Sequence, residues 1–377
     1  GYTWNNGNAV LDGELVTGLN QRGLPITNLS WTKNTTSNIG FDLTMFNNRL
    51  KITADAFRKD ITGVPAARYD VLLPSEVGYS LPNENLNKQA YIGAEGMVTW
   101  TDHIGDLNYT VSGNFTFSRY KSIETYKPRF NNSWDEYRNS AEGRWGGIYW
   151  GYQVIGQFQS EEEIRNYPVN LDGNNNRTLL PGDFIYKDVN GDGIINGMDE
   201  RPIGYPEGWA PIMSFGGNIG LAWKGIDLNI DLSGGAMQGW RQNYELANAY
   251  HGNGNSPVYL LEDRWHRADL YDPESEWIPG RYPAIRKGEF SYNNKNSDFW
   301  LHNVRYLRIK NLEVGYSLPA QLLRPIRAQK VRIYANVSNL CSFDNVGKFG
   351  VDPEITAAAA VVYPQQRTFL LGFNITY

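Results

Sequence analysis

Apolar and polar residues alternate along much of this chain with a period of two, as they do in strands whose two faces meet different surroundings. From Leu107 to Ser118, residues Leu107, Tyr109, Val111, Gly113, Phe115 and Phe117 fall on one side. Asn108, Thr110, Ser112, Asn114, Thr116 and Ser118 fall on the other. Ile226, Leu228, Ile230 and Leu232 alternate in the same way with Asp227, Asn229, Asp231 and Ser233. Val331, Ile333, Ala335 and Val337 alternate with Arg332, Tyr334, Asn336 and Ser338, and the chain closes on Phe369, Leu371, Phe373, Ile375 and Tyr377. The pattern predicts nine strands, at about 31–46, 49–63, 88–101, 106–122, 211–224, 226–239, 299–318, 329–341 and 366–377. Within 299–318 the apolar phase slips between Ile309 and Leu312, which predicts a bulge. Helical periodicity is nearly absent.

The connections carry as much information as the strands. Asn47-Asn48, 102–105 and Lys224-Gly225 are tight, and 319–328 is moderate, whereas about 64–87, 123–210, 240–298 and 342–365 are long. Short and long alternate strictly, which sorts every long loop to one end of an antiparallel sheet. Transmembrane barrels of the outer-membrane type have this asymmetry, with short periplasmic turns and long extracellular loops. A soluble sandwich has no reason to produce it. The fold expected is therefore all-β, a portion of a large antiparallel transmembrane barrel in one domain, with 1–30 as a further loop. The last strand then runs inward and Tyr377 ends at the periplasmic rim. Nine strands cannot close a barrel wide enough for such loops, so earlier strands are expected from preceding sequence.

Composition agrees. Aromatics reach 14% and charged residues only 20%, with 24 Tyr, 12 Trp and 39 Gly. Mean hydropathy is -0.50, which does not oppose a barrel, because the lipid face occupies only alternate positions. No apolar run is long enough for a membrane-crossing helix. A net charge of -5 and a pI near 5.5 argue against a nucleic-acid surface. The lone Cys341 excludes an internal disulfide framework and reads as a small buried or half-buried apolar residue. No tandem repeat points to a propeller or solenoid.

One segment carries recognisable chemistry. Residues 188–199 match the loop pattern that offers oxygens to Ca²⁺ from alternate positions around a Gly turn. The expected ligands are Asp188, Asn190, Asp192, the Ile194 carbonyl, Asn196 and Asp199, with Gly193 at the turn. Position twelve is Asp199, shorter than the usual Glu; a hydrated Asx turn without metal is the competing account. The expected role is structural, pinning the 123–210 loop, and no organic cofactor is expected. His103, His251, His266 and His302 show no ligand spacing, and no serine or cysteine nucleophile motif accompanies them. Glu161, Glu162 and Glu163 read as a solvated loop face. Trp145, Tyr149 and Trp150 could stack on a sugar or peptide at a pore mouth, with packing of the long loop as the alternative role.

Several runs resemble late barrel strands of SusC/RagA-like TonB-dependent outer-membrane transporters. They are Asn38 to Leu50, Gly182 to Gly193, Tyr306 to Pro319, Tyr334 to Leu340 and Tyr363 to Tyr377, in that order. The resemblance implies a barrel of about 22 strands, of which these would be the last nine, in a bacterial outer membrane as a multi-pass protein. It implies import of oligosaccharides or peptides under a SusD-like surface lipoprotein, with the TonB complex acting through an N-terminal plug that lies outside this sequence. Phe373 and the terminal Tyr377 would then supply the aromatic signal read by the barrel-assembly machinery, Tyr377 standing where the family commonly has Phe. Outer-membrane lipid is the expected surrounding and no enzymatic activity is expected. The alternatives are a secreted, calcium-stabilised β-sandwich that binds carbohydrate, and an outer-membrane enzyme built on a nucleophile–His pair.

Overall fold

The computed structural model describes all residues except 1–3, 22–23, 27, 69–70, 208–209, 287–289, 327 and 355–362. Parts of the expected loops at 1–30 and 342–365 therefore lie outside the described residues. Among the described residues, seventeen strands occur in chain order. They are β1 (Trp4–Leu11), β2 (Glu14–Gln21), β3 (Lys33–Met45), β4 (Leu50–Ala66), β5 (Glu84–Ile104) and β6 (Leu107–Glu124). Then follow β7 (Tyr149–Gly151), β8 (Val154–Gln157), β9 (Phe184–Tyr186), β10 (Arg201–Gly204), β11 (Met213–Trp223) and β12 (Ile226–Arg241). The last are β13 (His266–Arg267), β14 (Trp277–Ile278), β15 (Leu301–Ser317), β16 (Lys330–Asp344) and β17 (Thr368–Thr376). Among the described residues, four short α-helices interrupt them: α1 (Ser133–Asn139), α2 (Glu161–Asn166), α3 (Val258–Glu262) and α4 (Ala320–Leu323). The longest helix has seven residues, too few for a helical period to show in the sequence.

Nine of the strands form one sheet in the order β17-β16-β15-β12-β11-β6-β5-β4-β3. These are the nine strands the alternation predicts, each displaced by a few residues at most. Tight left-handed turns join three of the pairs. Lys224 (φ 46°) and Gly225 (φ 85°) close β11 onto β12, a pairing of positive φ values suited to the right-handed strand twist. The long connections alternate with the short ones as expected.

The expected bulge is present. Toward β12, Asp231 faces Asn311 and Leu232 faces Ile309, which leaves Lys310 unopposed.

The chain forms two compact units. One comprises residues 1–41, 54–94 and 118–146, and holds the β1–β2 hairpin and the distal halves of β3 to β6. The hairpin lies within the stretch read from sequence as a loop; its apolar residues Val10, Leu11, Leu15 and Leu19 are all exposed, so no clean two-faced pattern marked it.

The other unit comprises 42–53, 95–117 and 147–377. Here the register aligns apolar positions across six strands. One row runs Val111, Ile219, Ile230, Leu312, Val337, Phe369. The next runs Tyr109, Leu221, Leu228, Val314, Ala335, Leu371, and a third Leu107, Trp223, Ile226, Tyr316, Ile333, Phe373. Many of these side chains are open to the surroundings: Val314 is 45% exposed, Ile333 45% and Phe373 70%. The core of this unit lies elsewhere. The connections 158–212 and 242–300 fold together around Phe158, Ile164, Leu171, Phe184, Tyr186, Tyr292 and Trp300, making a head with its own hydrophobic interior.

Candidate functional site

The polar face of the six strands carries a hydrogen-bonded ladder. Asn218 Nδ2 donates to Asn229 Oδ1 (2.8 Å) and to Asp231 Oδ1 (2.7 Å), and Asn336 Nδ2 donates to Asn311 Oδ1 (2.8 Å). Arg332 bridges Asp227 and Glu313, donating to Glu313 Oε1 at 2.7 Å. Of these, Asp227, Asn229 and Asp231 are the residues that the alternation set against Ile226, Leu228 and Ile230, and Arg332 and Asn336 those it set against Val331 and Ala335. Higher on the same face, Arg308 is buried at 4% exposure and donates to Asp352 (2.6 Å) and Glu354 (3.0 Å). Lys310 joins Glu354 at 2.7 Å. Nothing in the alternation marked Asp352 and Glu354, because their partners lie more than forty residues away in sequence.

In the head, the segment Pro181–Tyr186 is buried throughout, with Asp183 at 0% exposure. Asp183 accepts from Leu180 N (2.8 Å) and Asn293 Nδ2 (2.8 Å) and is paired with Arg286. Tyr186 donates its hydroxyl to the Tyr292 carbonyl (2.9 Å), and Trp300 Nε1 donates to the Asn293 carbonyl (2.7 Å). Burial raises the Tyr186 and Tyr292 phenols well above their ordinary range. Lys295 sits over three rings, 5.0 Å from Tyr152, 5.3 Å from Tyr186 and 5.1 Å from Tyr292. Burial lowers its ammonium, against the pull of Asp199 and Asp172.

The 188–199 loop closes through side chain to backbone bonds. Asp188 accepts from Gly191 N (2.7 Å) and Gly193 N (2.8 Å), Asn190 from Asp192 N (3.1 Å), and Asp192 from Ile194 N (2.9 Å). Asn196 accepts from Met198 N at 2.8 Å. Asp199 is fully buried and accepts from Val189 N and Asn196 N, both at 2.9 Å. Asn190 Nδ2 beside Asp192 holds that carboxyl below its ordinary range. Asp188, Asn190, Asp192 and the Ile194 carbonyl fit a hard cation by oxygen type, while Asp199 is spent as an internal cap. Among the described residues no three His, Cys, Asp or Glu groups converge as a metal cluster.

The aromatic trio is divided. Trp145 belongs to the first unit, where Arg119 and Lys121 lie 5.5 and 5.4 Å from its ring. Tyr149 and Trp150 start β7 in the second unit. Trp150 is 9% exposed and pairs with Pro202 of β10. Glu161, Glu162 and Glu163 form the first turn of α2, behind the Ser160 cap, rather than a loop; carboxylates there meet the positive end of the helix. Cys341 is half-buried and free. The histidines do not cluster: His302 stacks on Trp240 in the second unit, whereas His103 lies exposed beside Asp102. Phe373 pairs opposite Ile333 in β17, and Tyr377 lies just beyond the strand, 77% exposed.

No family model matches the chain. TonB-dependent receptor P3 of Formosa agariphila is 25% identical over 98% of this chain. TonB-dependent receptor SusC of Bacteroides thetaiotaomicron is 25% identical over 93% of it. The chain spans about a third of these curated relatives' length, 36% and 32%. The RagAB peptide importer in its "open-open" state superposes on all of this chain and 38% of its own, with a TM-score of 0.69 at 19% identity. The "closed-closed" state of the same importer gives 0.66. The fold, a large antiparallel β sheet, is thus shared with the RagAB importer, and the sequence is similar to TonB-dependent receptors. The resemblance to SusC/RagA-like receptors read from the sequence holds along nearly the whole chain.

Proposed function

We propose that this chain forms part of the barrel wall and the extracellular loops of an outer-membrane importer of oligosaccharides or peptides. The observation that carries this reading is the set of apolar rows aligned across six strands and left exposed. In water, three such rows would cost roughly 25 cal/mol for each Å² left uncovered. A β-sandwich needs an opposing sheet over them, and the described residues supply none. In hydrocarbon the rows need no cover, and the polar ladder of Asn218, Asp231 and Arg332 faces an aqueous interior. The residues named do no covalent chemistry: they bind, orient and exclude lipid, and energy arrives from the TonB complex through a plug. The relatives' names and the two-component RagAB importer support a SusD-like lipoprotein over the loops. Phe373 and Tyr377 suit the barrel-assembly signal. The full-length product should sediment with outer membranes and need detergent for extraction; recovery in plain buffer as a monodisperse species would overturn the reading.

Within the head, the loop 188–199 is proposed to hold Ca²⁺ through Asp188, Asn190, Asp192 and the Ile194 carbonyl. All of these side chains also accept backbone amides, and what sets Asp199 apart is full burial, so Asn196 completes the set more readily than Asp199. Ca²⁺ should then protect the 158–212 segment from protease in the full-length protein. The Asp188→Ala/Asp192→Ala variant should lose that protection, and equal resistance with and without Ca²⁺ would remove the metal from the account.

A further inference from the structure

The chain that follows β16 turns back onto the sheet. Its root is pinned to β15: Asn345 Oδ1 accepts from Arg305 N (3.1 Å) and Asn345 Nδ2 donates to the Asn303 carbonyl (2.9 Å). Asp344 Oδ1 accepts from Val346 N (3.0 Å) and starts the turn. Val346, Phe349 and Val351 then pack with Trp240 of β12 and Val304 of β15 into a small core separate from that of the head. Beyond Gly350, whose φ of 76° favours a residue without a Cβ, Asp352 and Glu354 reach Arg308 and Lys310. Glu354 also meets Ser233 (3.4 Å), one polar position above Asp231 on β12. Residues 346–354 thus form a strap laid over the polar face, apolar near its root and charged at its far end.

The apolar fastening is built around an imidazole. His302 of β15 is opposite Trp240 in the register, stacks on that ring at 5.4 Å and meets Phe349 at 4.7 Å. Its Nε2 lies 3.1 Å from Gln242 Oε1. Gln242 Nε2 is committed to the Leu246 carbonyl (2.6 Å) and the Tyr259 hydroxyl (3.3 Å), so the imidazole donates this bond and needs no charge to do so. β12 offers it the neutral Trp240 and Gln242, with Tyr259 of α3 behind them. The charges that act on it are both cations, Lys348 of the strap and Arg281 of the head. Burial and these two cations push His302 down to about 4. The site lies well above the outermost apolar row, where Ile230 faces Leu312. An imidazole lowered in this way stabilises the closed form above its ordinary pKa of 6.5, and that contribution is lost as pH falls toward 4.

We propose that His302 is an acid-sensitive pin, whose protonation frees the strap 346–354 from the polar face. Under the importer reading, on which this consequence rests, release clears the outer part of the interior passage. Hydrogen exchange of the full-length receptor in detergent, corrected for the intrinsic dependence of amide exchange on pH, tests the pin. Protection of 346–354 should fall at least about ten-fold between about pH 7.5 and about pH 5, while β11 and Phe184–Tyr186 keep theirs. Lys348→Met removes one opposing cation and should move the fall to lower pH. His302→Gln can still donate to Gln242 but has no titrating ring, so its strap should be equally protected at both pH values. A parent strap indifferent to acid, or a His302→Gln strap that loosens with acid as the parent does, would overturn the proposal. If His302→Gln leaves the strap unprotected throughout, a Lys348→Met profile identical to the parent's overturns it instead. A receptor whose strap ignores acid but which still needs detergent rejects the pin and leaves the importer reading standing. One whose strap loosens with acid but which dissolves in plain buffer keeps the pin and rejects that reading.

Discussion

Val314→Arg should destabilise the full-length protein in a bilayer by about 1–4 kcal/mol, between the costs of a charge near the rim and at the midplane of a transmembrane barrel's lipid face. Val314 lies in the middle apolar row, between Leu228 and Ala335, and is 45% exposed. Magnitude is what makes the substitution informative. At an equally exposed position facing water, such a change stays within about 0.5 kcal/mol. Asn108→Arg, on the opposite polar row and exposed, serves as the control and should be near neutral. Urea titration of folding into lipid vesicles, followed by tryptophan fluorescence, measures both. Equal small effects at the two positions would mean that the apolar rows do not meet hydrocarbon.

Arg286→Met should cost the head about 3–5 kcal/mol, because it strands the fully buried Asp183 carboxylate without its cation. The loss exceeds what an exposed ion pair gives, about 0–1 kcal/mol, since Asp183 has 0% and Arg286 only 17% side-chain exposure. Arg286 also covers Phe290 at 3.8 Å, a contact the methionine stem retains in part. The double variant Arg286→Met/Asp183→Asn should recover most of the stability, because the asparagine can keep the Leu180 N–H bond without a charge to bury. Hydrogen exchange resolves the effect by segment: protection should fall in 158–186 and 282–300 while β12, β15 and β16 keep theirs. A double variant no more stable than the single one would assign the loss to Arg286 packing and not to the charge.

The sheet was legible in the sequence because its signal is local. Apolar and polar residues alternate within single strands, so Ile226 to Ser233 declares its faces within eight residues. The Ile309–Leu312 phase slip likewise reports the bulge without any knowledge of β12. The head was not legible. Phe158, Phe184, Tyr292 and Trp300 are brought together from segments more than a hundred residues apart, and no period links them. The same distance hid the Asp183–Arg286 pair, although the apolar run Phe184-Ile185-Tyr186 directly after Asp183 was a usable hint of burial. Within 188–199 the Asx residues bond their own backbone, which they do whether or not a cation is near. It did not foresee that Asp199 turns inward, because that depends on the Val189 and Asn196 amides closing behind it.

The unopposed Lys310 makes β15 behave like a reading frame with one spare letter. Arg308 and Asn311 both face the polar side, which an odd spacing forbids in regular pleating, and Ile309 and Leu312 both face the apolar side. Excising Lys310 would leave Arg308, Ile309, Asn311 and Leu312 in plain alternation toward β12, but it would lose the Glu354 tether and leave Asn339 and Leu340 of β16 with no residue opposite. Excising Val314 instead would turn every later side chain of the strand inside out. Natural length variation in this strand should therefore be tolerated at that site together with a matching change at Asn339 and Leu340, and resisted beside it.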